Sequence, residues 1–160
     1  MPEAVEQLRD QDASIWGSLT NGEQALLARW NDTAADFPQV PAHVLFERQV
    51  EHDPAAIAVA FATTQLTYAE LNERSNRLAH NLRRRGVKPN VLVGVCLERS
   101  PELVIALLAV WKAGGAYVPL DASYPKERLS FMIEDAQPLL VLTNTVCRPL
   151  LPTSVSQVIA

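Results

Sequence analysis

Three short apolar runs, Val91–Leu97, Tyr117–Leu120 and Leu139–Leu142, alternate with two helix-patterned stretches, and this alternation constrains the fold more than any other feature. Runs this short suit buried strands, and the connections between them are long enough for crossover helices rather than hairpin turns. The order strand, helix, strand, helix, strand predicts parallel pairing, right-handed crossovers and helices covering the sheet. The first connecting helix takes Ser100 as its N-cap and Pro101 at its first position. It runs through Leu103, Val104, Leu107, Leu108 and Trp111 to Lys112-Ala113, and Gly114-Gly115 ends it. The second begins at Pro125, carries Leu129, Met132 and Ile133, and is broken by Pro138. Val155–Ile159 is one more strand candidate.

Upstream of this core the pattern changes. Thr67-Tyr68-Ala69-Glu70 is a capping box that opens the clearest helix in the chain. Leu71, Ser75, Leu78, Ala79 and Leu82 recur at helical spacing on one face, and Gly86 is placed to terminate the helix. Arg83, Arg84 and Arg85 fall in its last turn, where cations complement the helix dipole; an anion site there is the weaker reading. Ile57–Phe61 and Gln65–Tyr68 read as two strands of an antiparallel hairpin, preceded by a short helix around Val44–Val50 that ends at Asp53-Pro54. The first forty residues differ again. Val5–Arg9 is a weak helix start, Thr20 and Glu23 form a second capping box, and Pro38 and Pro41 keep the following segment extended. Residues 1–40 therefore read as an inter-domain linker with one short helix, whose Leu26, Leu27, Trp30 and Phe37 are expected to rest on a neighbouring domain.

The functional inventory is first a set of exclusions. A net charge of −4 does not suit a surface that tracks nucleic-acid phosphates. The longest apolar stretch, Leu103–Trp111, is too short to span a bilayer, and the acidic start Met1-Pro2-Glu3 is unlike a secretory signal, so a cytoplasmic chain is expected. Cys96 and Cys147 are the only cysteines, too few for a disulfide framework or a grouped zinc site; Cys96 reads as a small buried hydrophobe. His43, His52 and His80 are scattered. Neither GxGxxG nor GxxxxGK[ST] occurs, and Gly114-Gly115 follows a helix instead of preceding one, so it is a helix stop and not a phosphate cradle. No GxSxG elbow occurs, and Glu134-Asp135 lie at a helix end, where solvent takes them. Asp121 is the one candidate site residue, because it lies at the C-terminal end of a strand, where open parallel sheets bind ligands. The competing reading makes it a turn aspartate organising Ala122–Pro125, and the turn chemistry favours that reading.

Two segments resemble a known family. Leu66-Thr67-Tyr68-Ala69-Glu70-Leu71-Asn72 resembles the first core motif of the adenylation domains of nonribosomal peptide synthetases. Trp111-Lys112-Ala113-Gly114-Gly115-Ala116-Tyr117-Val118-Pro119-Leu120-Asp121 closely resembles their second. Trp30–Ala34 resembles the linker between a condensation and an adenylation domain, and Val95–Ser100 and Tyr124–Leu129 are similar to family text as well. The resemblance implies an α/β fold: a partial, mostly parallel sheet with flanking helices, preceded by a hairpin and an extended linker, with residues 41–160 as the N-terminal part of an AMP-binding domain. It implies a parent ligase of secondary metabolism that activates an amino acid with ATP and Mg2+ and passes the acyl group to a carrier-domain phosphopantetheine. The implied partners are the remainder of the adenylation domain, a condensation domain and a peptidyl carrier domain, with no nucleic acid and no membrane.

The Ser/Thr/Gly-rich phosphate loop ending in Pro-Lys-Gly is absent, as are the amino-acid pocket, the ribose-binding Asp and the C-terminal Lys. No catalytic, cofactor-binding or metal-binding residue of the family therefore maps onto this chain. Leu66, Thr67, Tyr68, Glu70, Leu71, Lys112, Ala113, Gly114, Tyr117, Val118, Pro119, Leu120 and Asp121 are scaffold positions of the two motifs. The expectation is a fragment that binds no cofactor and does not adenylate alone. An acyl-CoA synthetase-like fragment and a non-catalytic interaction or complementing module are the rival readings.

Overall fold

The computed structural model describes residues 19–159, and the chain divides into two compact units, Met1–Gln39 and Val40–Ala160. The Val5–Arg9 helix start lies outside the described residues.

In the first unit, helix α1 (Asn21–Asn31) begins where the capping box predicts. Thr20 Oγ1 accepts from the Glu23 amide at 3.3 Å, and the Thr20 amide donates to Glu23 Oε2 at 2.8 Å. The helix buries none of its residues; Trp30 is 64% exposed, and Phe37 beyond it 68%.

The second unit starts with helix α2 (Ala42–His52) and the hairpin of strands β1 (Ile57–Phe61) and β2 (Thr64–Thr67). The two strands are antiparallel, with Phe61 opposite Thr64 and an irregularity at Ala58. Ala62 makes the turn with a φ of 51°. Tyr68 was expected in the second strand; it is instead the first residue of helix α3 (Tyr68–Arg84), because the Thr67 cap commits the chain to a helix one residue earlier. Leu71, Ser75, Ala79 and Leu82 are buried on one face of α3, as the periodicity predicts.

A four-stranded parallel sheet comes next, in the order β4–β3–β5–β6, from strands β3 (Leu92–Cys96), β4 (Ala116–Pro119), β5 (Leu140–Thr143) and β6 (Gln157–Ile159). Helix α4 (Pro101–Ala113) joins β3 to β4, and helix α5 (Lys126–Ala136) joins β4 to β5. The pleat sends alternate residues to opposite faces. Val93, Val95, Leu140 and Leu142 pack with α3 and α4 through Ala79, Leu82, Ala106, Ala109 and Val110. Cys96 and Val141 pack on the other side with Leu120 and with Leu129 and Ile133 of α5. The sheet is therefore covered on both faces, which accounts for its nearly continuous apolar strands. A third cluster, Leu66, Leu71, Ile105 and Leu108, joins the hairpin to α3 and α4.

The stop after α4 is built as the sequence indicates. Gly114 adopts a φ of 88°, which a side chain would resist. At Gly115 a Cβ would lie 2.8 Å from Val87 Cγ1 and 3.1 Å from the Val91 carbonyl oxygen, so the turn presses directly on the start of β3. One cap differs from expectation. Ser100 occupies the N-cap position of α4, but its side chain makes no capping hydrogen bond. Pro101 has no amide hydrogen, which already removes one of the first-turn donors.

Candidate functional site

Strands β3 and β4 are joined across one face, and the chain then crosses to β5 on the other side of β3 by way of α5 on the opposite face. The segments leaving the neighbouring strands β3 and β4 thus diverge, and a crevice opens at the carboxyl ends of the strands, the usual ligand position in such sheets. Its volume is about 520 Å³, and its walls include Leu97–Arg99 after β3, Pro119 at the end of β4 with Leu120–Ser123 after it, and Val146, Cys147 and Leu150 after β5.

Asp121 stands on the rim of this crevice, exposed. Its Oδ1 accepts from the Ser123 amide at 2.8 Å, and its carbonyl accepts from the Tyr124 amide at 3.0 Å. The Ser123 backbone hydrogen bond, then the Ser123 side chain and more weakly the Arg99 charge, hold its carboxyl below the usual aspartate range. The side chain therefore shapes the turn into Pro125 and borders the crevice at once. Behind it the two cysteines share the apolar cluster. Burial and then the neighbouring Cys147 push the Cys96 thiol up to about 12, and burial also raises Cys147. Both are protonated at neutral pH and pack as hydrophobes.

The crevice supplies no phosphate cradle. Its charged lining is one guanidinium, Arg99, and two carboxylates, Glu98 and Asp121, set in a mainly apolar wall. A nucleotide triphosphate needs convergent amide and cationic donors, so no step of nucleotide chemistry is assigned to these residues.

The remaining motif positions form a second constellation. Leu66 and Leu71 are core residues, Thr67 and Glu70 exchange capping hydrogen bonds at 2.9 and 3.2 Å, and Tyr68 lies against Phe46 with ring centroids 5.7 Å apart. Ala113 and Leu120 are buried, Tyr117 meets Trp111 at 5.8 Å, and Val118 packs on the α5 side. Lys112 is buried with 6% exposure, and its Nζ reaches Glu47 Oε1 at 2.6 Å, Asn72 Oδ1 at 2.6 Å and Asn76 Oδ1 at 2.8 Å. The two motifs, forty residues apart, thus touch directly through Lys112 and Asn72. The arginine triplet does not act as a cluster: Arg83 donates to the Lys112 carbonyl, and Arg85 Nε donates to Asn81 Oδ1 at 2.8 Å. Glu47, Asn76 and Arg99, and the bond of Arg83 to the Lys112 carbonyl, escaped sequence reasoning because the partners are remote in the chain.

The family described as AMP-binding enzyme matches residues 46–159, which include both motifs, the sheet and the crevice. The chain belongs to that family. Two different components of the linear gramicidin synthase of Brevibacillus parabrevis are 50% and 52% identical to it, each over 98% of its length. It spans only 3% and 2% of those relatives. The fold matches a crystal structure of the nonribosomal peptide synthetase FmoA3 with AMPPNP bound, with a TM-score of 0.79 and 35% identity over 87% of this chain and 15% of that one. The chain is thus a nonribosomal peptide synthetase adenylation-domain fragment, matching the N-terminal part of such domains.

Proposed function

We propose that residues 41–160 form the first part of a domain that activates an amino acid with ATP and Mg2+ as its adenylate, and that residues 1–40 are the linker leading into it. The parent then transfers the acyl group to the phosphopantetheine thiol of a carrier domain, and a condensation domain precedes the linker. The observation that carries this reading is the joined pair of motifs on a fold shared with nonribosomal peptide synthetases. A four-domain synthetase bound to AMP and glycine, 34% identical over 78% of this chain with a TM-score of 0.70, supports the substrate class. No helix among the described residues is long and apolar enough to cross a membrane. The thirteen motif positions act here as scaffold: ten of them lie away from the crevice, and the crevice that Pro119, Leu120 and Asp121 border lacks the donors that phosphates require.

Amino-acid-dependent ATP–pyrophosphate exchange tests the proposal. The chain continued in frame through a complete adenylation domain is expected to exchange, and the 160-residue chain alone is not. Exchange by the isolated chain, or amino-acid-independent activation of a fatty acid by the complete domain, overturns it.

A further inference from the structure

Lys112 is the one buried charged residue among the described residues. An ammonium has three protons to donate, and Glu47, Asn72 and Asn76 take all three. Its Nζ also lies 5.5 Å from the centre of the Phe46 ring. These partners come from two helices, Glu47 and Phe46 from α2, Asn72 and Asn76 from α3, whereas the lysine itself is on α4.

The three helices do not depend on this contact equally. Helices α3 and α4 share an apolar cluster that includes Ala79, Leu82, Ala106 and Ala109, and Arg83 adds a bond to the Lys112 carbonyl. Helix α2 buries no residue fully and has no side-chain N-cap. Glu47 is also the only acidic group on the polar cleft that surrounds the lysine, whose other walls carry His43, His80 and Arg83. A buried cation left without its counter-charge is costly, and an amide oxygen does not replace a carboxylate there.

We infer that Lys112 is a positioning residue whose charge docks helix α2 onto the α3–α4 pair. The second motif thereby fixes a helix that precedes the first. A lysine, and not an aliphatic residue, stands at 112 because a point cation can gather three separate oxygens.

Hydrogen exchange on the whole 160-residue chain tests this. Lys112→Met keeps the stem and removes the charge. The amides of α2 are expected to exchange about 100-fold faster in this variant, while those of β3 and β5 stay within about 3-fold of the parent. Glu47→Gln, at a side chain 43% exposed, is expected to give the same selective pattern at smaller size. Lys112→Arg is expected not to restore the parent rates, because a planar fork does not fit three separate acceptors. Should Lys112→Met accelerate every element alike, Glu47→Gln decides: selective loss at α2 supports the inference, and a uniform change or none overturns it. Unchanged α2 amides in Lys112→Met, rescue by arginine, or an α2 already unprotected in the parent chain each overturn it as well.

Discussion

Helices α1 and α3 are each started by a threonine with a glutamate three residues later, Thr20 with Glu23 and Thr67 with Glu70, and the reciprocal hydrogen bonds are nearly the same length in both. Beyond their caps the two helices differ. Helix α3 lays four residues into the core, with Leu82 wholly buried, whereas α1 buries none. A cap decides where a helix begins; packing of an apolar face decides how firmly it is held. Helix α1 therefore depends on its own local terms, and α3 shares the stability of the sheet it covers.

The largest expected effect breaks the comparison at the buried face. Leu82→Ala should cost about 2–5 kcal/mol in denaturant unfolding. Leu26→Ala, at an exposed position of α1, should change the same transition by less than about 0.5 kcal/mol. Equal losses would mean that α1 belongs to the cooperative unit. Smaller effects are expected at the caps. Thr67→Ala should lower the unfolding free energy by about 1 kcal/mol, while Thr20→Ala should reduce helical content in α1 without moving the midpoint. Circular dichroism and denaturant titration of both variants check this.

The smallest effect is in acid. Hydrogen bonds hold both glutamates below the ordinary range: for Glu70 chiefly the Thr67 amide, for Glu23 chiefly the Thr20 hydroxyl. A carboxylate with a depressed folded value stabilises fully above the unfolded value of about 4.3, and that contribution is lost as pH falls through the folded value. Both helices should keep their N-terminal turns from neutrality to about pH 5 and fray only below the ordinary glutamate range. Carboxyl chemical shifts followed by NMR would show two midpoints below that range. An ordinary midpoint at either residue would mean that its box does not form in solution.

Much of this architecture was readable locally. The capping boxes, the apolar stripe of α3 and the stop at Gly114 each depend on residues within a few positions of one another, and the alternation that makes the sheet parallel is a succession of such short local signals. Asp121 was legible as a turn residue for the same reason. The contacts of Lys112 were not, because its partners lie 36 to 65 positions away and no periodicity marks them. The neighbouring cysteines escaped for the same cause: Cys96 ends a strand and Cys147 lies beyond another, and only the pairing of β3 with β5 brings their surroundings together. The hydroxyl of Ser100 shows the opposite limit, where a good local signal occupies its position and makes no capping bond.

The strand order β4–β3–β5–β6 also has a consequence for a chain emerging from the ribosome one end first. Strand β4 finds β3 already synthesised, β5 joins the free side of β3, and β6 joins the free side of β5. None of these four strands has to be threaded between two that are already paired. This four-stranded part of the sheet can grow in the order of its synthesis, with each of these additions made at an open margin.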